Sequence, residues 1–139
     1  MKYISKFFIS ISVLLYQLSG GKIGGQLGKF KVLLLTTKGR KSGKTYVHPL
    51  GYFERDGGYY IVASNLGRDI NPAWYFNIKW NPEDVMIQVG DKKMKVKPQI
   101  VLGAPRRPVY DWIASIAPNY GSYEKKTSRE IPLVLLKAI

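Results

Sequence analysis

The sequence predicts one mainly β, antiparallel domain: a small barrel with flanking helices. Three observations lead there. Six short apolar or alternating runs read as strands, most of them joined by hairpin turns. Few helical segments separate those runs, so a doubly wound parallel sheet lacks its crossovers. The chain has 139 residues, 45% of them hydrophobic, which suits a single core.

The elements follow in order. Phe7, Ile11, Leu14, Leu15 and Leu18 recur at helical spacing, with Lys2 and Lys6 ahead of them. Gly20-Gly21 ends that helix. Three readings stay open for it: packing on the domain, lying on an anionic membrane, or a cleaved leader. The stretch is too short and too interrupted to span a bilayer. Residues 1–24 are therefore read as an amphipathic helix with a glycine-rich connector, and 25–139 as the barrel. Val32 to Thr37 is a continuous apolar, β-branched run, hence a strand buried on both faces. Thr45 to Phe53 pairs with it across the basic turn Lys38-Gly-Arg-Lys-Ser-Gly-Lys44. Asp56-Gly57 turns into a third strand, Tyr59 to Ser64. Asn71-Pro72 opens a helix over Ala73 to Trp80, which stops before Asn81-Pro82. Val85, Ile87 and Val89 alternate as a strand. After Gly90-Asp91, Met94, Val96 and Ile100 alternate with lysines as another. Val109, Trp112, Ile113 and Ile116 have helical spacing. Tyr120 and Tyr123 fall in a small-residue loop after Pro118-Asn119, and Ile131 to Leu136 is the last strand.

Composition excludes several chemistries. There is no Cys, so thiol catalysis, disulfides and Cys-ligated metals are out. One His rules out a multi-His metal site, and no metal is expected. Lys plus Arg number 22 against 9 acids, a formal charge of +13, which calls for an anionic partner. Gly39-Arg-Lys-Ser-Gly43-Lys44-Thr45 is not a nucleotide phosphate loop. Its glycines are one residue too close, and strand rather than helix follows. Four cations (Lys38, Arg40, Lys41, Lys44) and two glycines in seven residues still suit an anion seat. The basic residues are spread rather than interleaved with strand aromatics, so nucleic acid is not expected.

These segments together resemble the deazaflavin (coenzyme F420)-dependent nitroreductase family of split β-barrel reductases, relatives in fold of the FMN-binding split barrels. The stretches that carry the likeness are Leu33-Leu-Leu-Thr-Thr-Lys-Gly-Arg-Lys-Ser-Gly43, Pro49-Leu50, Ile61-Val-Ala-Ser-Asn65, Asn71-Pro-Ala-Trp-Tyr-Phe-Asn77, Asn81-Pro82 and Ile131-Pro-Leu-Val. Asn65-Leu66-Gly67 stands in place of a double-glycine loop. The resemblance implies hydride transfer from reduced F420 to an electron-poor acceptor: a quinone, enone or nitro compound. It implies a cofactor site of Lys38, Arg40, Lys41, Ser42, Lys44, His48, Pro49, Ala63, Ser64, Asn65, Leu66, Gly67, Asn71, Pro72, Trp74 and Asn77. Tyr120, Tyr123 and Ser64 are the candidate catalytic groups, as sources of the proton. A cytoplasmic enzyme, with peripheral membrane contact through the first helix and homodimerisation, completes the expectation. The alternatives are an FMN-binding split-barrel flavoprotein and a non-catalytic basic membrane- or nucleic-acid-binding protein.

Overall fold

The computed structural model describes residues 10–27 and 30–139. Phe7, Lys2, Lys6 and Gly28 lie outside them. The elements are α1 (Ile11–Ser19), β1 (Gln26–Leu27), β2 (Phe30–Lys38), β3 (Thr45–Arg55), β4 (Gly58–Val62), a 3₁₀ turn (Asn65–Gly67), α2 (Ala73–Trp80), β5 (Met86–Val89), β6 (Lys92–Val101), α3 (Arg106–Ile116), α4 (Asn119–Lys125) and β7 (Leu133–Ala138).

All pairings are antiparallel, in the order β1-β2-β3-β4-β7-β6-β5, and β5 returns to β2. Six strands thus close into a barrel, and closure removes the exposed edges that an open sheet would present. Strand alternation divides the core. Leu33, Leu35, Ile61, Val134 and Leu136 point into the barrel with Trp74, Tyr75 and Ile78 of α2. Their neighbours point outward and are covered too. Val32 and Leu34 lie under α1. Tyr60, Val62, Leu133 and Leu135 lie under α3 and α4. Burial on both faces is why β2 and β7 read as unbroken apolar runs.

Two expectations change. The tyrosine segment is a helix, α4, and not a loop. It holds its place through long-range contacts: the Tyr110 hydroxyl donates to Tyr120 O at 2.7 Å, and Arg106 and Arg107 both bind Glu124. Helix α1 packs as one reading foresaw, but through a different face. Val13 and Tyr16 are buried, whereas Ile11 is 76% and Leu18 77% exposed, with Leu14 and Leu15 also outward. The Ser10 side chain caps its start by accepting from Val13 N. Its end is pinned to the β5–β6 turn, where Gly90 N donates to the Tyr16 hydroxyl at 2.9 Å. A side chain at Gly21 would put its Cβ 2.6 Å from Gly90 Cα, so this approach requires glycine.

Candidate functional site

The basic turn is a docked structure rather than a free hairpin tip. Gly39 N donates to Lys44 O at 2.7 Å and Gly43 N to Gly39 O at 3.0 Å. Gly43 supplies the positive φ, +69°, that closes it. Helix α2 then holds the turn from the side. Asn77 is buried. Its Oδ1 accepts from Arg40 N at 3.2 Å, and its Nδ2 donates to Thr37 Oγ1 at 3.3 Å. Asn81 Nδ2 donates to Lys38 O at 3.3 Å, and the Arg40 guanidinium lies 5.1 Å from the Phe76 ring centre. The long cationic side chains of Arg40 and Lys41 are exposed, while the Arg40 backbone is fixed by Asn77.

Between turn and helix lies a cleft of about 410 Å³, lined by Gly39, Arg40, Lys41, Ser42, Tyr46, His48, Ala73 and Asn77. Arg40, Lys41, Ser42, His48 and Asn77 are thereby brought together as the sequence suggested. Tyr46 and Ala73 were missed, and Gly39 was read as part of the basic turn without being named among the site residues. Tyr46 is two residues from His48 on one strand, so strand periodicity carried the signal. Burial pushes the His48 imidazole below its ordinary 6.5, which keeps it neutral at pH 7. Its Nδ1 is buried without a hydrogen-bond partner. Such an atom is costly unless a ligand or water satisfies it.

The other candidates are not among the residues that line this cleft. Lys38 and Lys44 form the neck of the turn, and Pro49 follows His48 on β3, opposite Leu34. Trp74 is buried in the barrel core, so it anchors α2 rather than offering a stacking face. Ala63 and Ser64 are buried where β4 leaves the barrel. The chain next makes a left-handed turn, with φ of +47° at Asn65, +58° at Leu66 and +82° at Gly67. For Leu this costs roughly 1–2 kcal/mol. Asn71 and Pro72 then lead into α2.

Arg129, not foreseen from the sequence, holds that loop. Its Nε donates to Arg68 O at 2.8 Å, and Nη1 donates to Asn71 Oδ1 at 2.7 Å. Nη2 donates to Ala63 O at 3.2 Å and to Ser64 O at 3.0 Å. No local pattern marks it, because its acceptors lie 58 to 66 residues away.

The tyrosines part company. Tyr120 is buried between Phe30, Phe53 and Tyr123, and burial pushes its hydroxyl up to about 12. Tyr123 is half-buried, and α4 carries it against the Asn65–Gly67 turn. The arrangement suits a ligand with an anionic end on the turn and a body lying toward α2 and the Ala63–Pro72 loop.

The comparisons agree with this chemistry. The model of the F420H(2)-dependent quinone reductase family matches residues 9–138. The F420H(2)-dependent quinone reductase Rv1261c of Mycobacterium tuberculosis is 38% identical over 128 residues, covering 88% of this chain and 84% of the relative. A solved F420-H2 dependent reductase, FDR-A, superposes with a TM-score of 0.68 at 37% identity, covering 76% of this chain and 93% of its own. A structure described as a domain-swapped dimer superposes with a TM-score of 0.71 at 33% identity, covering 89% of this chain and 92% of its own. With a family match across nearly its whole length, a closed antiparallel barrel and a basic cleft at its α2 side, this chain belongs to the F420H2-dependent quinone reductase family.

Proposed function

We propose that this reductase seats F420 in the basic cleft and passes hydride from it to a quinone. The observation that carries the proposal is the tethered turn facing α2 across that cleft. F420 carries a phosphodiester and a polyglutamate tail, so the residues fit it. Arg40 and Lys41 supply charge without acidic neighbours in the lining, Ser42 adds a hydroxyl, and His48 brings an unsatisfied nitrogen. When bound, the reduced cofactor supplies the hydride. The protein then has to bind, orient and exclude water. Arg40, Lys41 and Ser42 bind the anionic handle. His48, Ala73 and Asn77 form the floor. Ser64 to Gly67, with Asn71 and Pro72, border the ring side. Quinone reduction also needs a proton, and its candidate sources are Tyr123, on the helix that backs the Asn65–Gly67 turn, and Ser64, which precedes that turn. Tyr120 supports Tyr123 through an edge-to-face contact with ring centres 5.8 Å apart.

The test is anaerobic mixing of F420H2 and a water-soluble quinone with purified protein, followed by cofactor absorbance. Oxidation well above the rate without protein is expected. No acceleration ends the reading, and a yellow protein with a flavin spectrum would favour FMN instead.

A second part of the proposal concerns α1. No helix among the described residues is long and apolar enough to cross a membrane. Yet Ile11, Leu14, Leu15 and Leu18 face outward. Gln17, from the same helix, shares a groove with Lys93, and Lys22 and Lys92 are exposed near its end, with a single acid, Asp91, beside Gly20. An apolar stripe with a cationic rim fits an anionic bilayer surface. Co-flotation with vesicles containing phosphatidylglycerol is expected, weakening several-fold in Leu14→Ser/Leu18→Ser. Homodimerisation is supported by the domain-swapped neighbour. A dimer that loses stability in the same double variant, without flotation of the parent protein, would refute the lipid reading.

A further inference from the structure

We infer that the Asn65-Leu66-Gly67 turn, clamped by Arg129, is a specificity element for the acceptor, with Leu66 touching its apolar side chain. This rests on the quinone-reductase reading above. Three observations converge on it.

The first is the conformation. Asn and Gly tolerate positive φ, but Leu does not, and Leu66 sits at +58°. Burial does not compensate for it, since Leu66 is 62% exposed. An apolar side chain held in an unfavourable backbone conformation and in water has no stabilising role in the fold. The second is the restraint. Arg129 donates four hydrogen bonds to acceptors on both sides of the turn, and Thr127 Oγ1 donates to Asp69 Oδ1 at 2.8 Å. Asn65 Nδ2 closes the loop onto Ile70 O at 3.0 Å. The turn is therefore presented, not left to relax. The third is location. A Cβ at Gly67 would meet Tyr123 O and Lys126 Cβ, each at 3.0 Å, so the turn backs on α4. Its loop continues into Ala73, which lines the cofactor cleft. Ile70, 68% exposed, is a second apolar side chain on the same loop. The loop that leads into the cleft wall thus carries two exposed apolar side chains, Leu66 and Ile70. The ligand class this fits is a quinone bearing an aliphatic tail. The quinone ring meets the cofactor on the side bordered by Ser64 to Gly67, and the tail lies over Leu66.

Two variants and two quinones test the assignment. Leu66→Asn keeps a residue that accepts positive φ and removes only the apolar chemistry. Binding of a naphthoquinone with and without a prenyl tail is read by quenching of tryptophan fluorescence. The tailed quinone is expected to lose about tenfold or more in affinity, as removal of one buried leucine contact predicts, and the tail-less one less than about twofold. Arg129→Lys keeps the charge but loses the planar donor set. It should show the same selective loss, with faster hydrogen exchange at the Gly67 and Arg68 amides. Equal losses for both quinones, or none, in Leu66→Asn overturn the assignment of Leu66. Unchanged tail preference in Arg129→Lys removes Arg129 from it. Turnover with F420H2 separates this inference from the reading beneath it. Tail-selective binding that depends on Leu66, without cofactor oxidation, refutes the reductase and leaves the contact standing.

Discussion

Replacing Glu124 by Ala should destabilise the protein by about 3–5 kcal/mol, the cost of leaving a buried cation without its partner. Arg106 is 2% exposed, so its guanidinium has almost no access to water. It is satisfied from three sides. Nε donates to Ile131 O at 2.6 Å, Nη2 donates to Glu124 at 2.7 Å, and the group stacks 4.3 Å from the Tyr110 ring centre. Glu124 also accepts two bonds from Arg107, at 2.6 and 3.1 Å. Removing that carboxylate strands Arg106 inside. Against a total stability of about 5–15 kcal/mol the loss is large, and the melting temperature should fall on the order of 10–20 °C. Asp111→Ala is the control. It removes the exposed partner that Arg107 binds at 2.9 Å and should cost under about 1 kcal/mol. An effect of Glu124→Ala no larger than that of the control would refute the argument. The same pair sets an acid limit. Hydrogen bonds from Arg107, and then from Arg106, hold the Glu124 carboxyl below its ordinary 4.5. Its folded value is depressed, so its contribution is complete above 4.5 and is lost as pH falls through the folded value. Glu124→Gln should flatten the decline of melting temperature in that acid range. The consequence reaches the site, because α4 backs the turn that carries Leu66.

The second large effect concerns the anion seat. Arg40→Ala/Lys41→Ala should weaken F420 binding by at least about 1–3 kcal/mol, or roughly 5- to 150-fold in dissociation constant. Both side chains are exposed, so melting should barely move. Arg40 has the larger share, since its backbone is held by Asn77 and its guanidinium lies near Phe76. Arg40→Lys should restore only part of the affinity, because an ammonium lacks the planar fork that fits a phosphate. The salt dependence of binding should also become shallower, since fewer screened charges remain. Fluorescence titration measures both variants. An unchanged dissociation constant in the double variant would take the cofactor handle away from this turn.

Much of the barrel was legible in the residues because strand and turn signals are local. Val32 to Thr37 announced a strand covered on both sides, and α1 and the barrel interior do cover it. Asp56-Gly57 and Gly90-Asp91 turn where they were expected to, and α2 starts after Asn71-Pro72, with Pro72 rather than Asn71 as its cap because Arg129 takes the Asn71 side chain. The anionic-ligand reading also came from a local feature, four cations and two glycines in seven residues.

What the chain order could not show was which surfaces meet. Spacing on α1 grouped Ile11, Leu14, Leu15 and Leu18 correctly. Periodicity says only that such residues share a face, and the packed face was chosen by Tyr16 reaching Gly90 and by glycines that let the backbones touch. Helix α4 was read as loop because Pro118, Asn119, Gly121 and Ser122 favour turns on their own, and Arg106, Arg107 and Tyr110 override them. Arg129 left no local trace at all. The residues by themselves determined the strands, the turns and the charge. The tertiary structure decided which side chains line the cleft and which loop is held in a strained turn, because hydrogen bonds and packing between distant segments have no period to read.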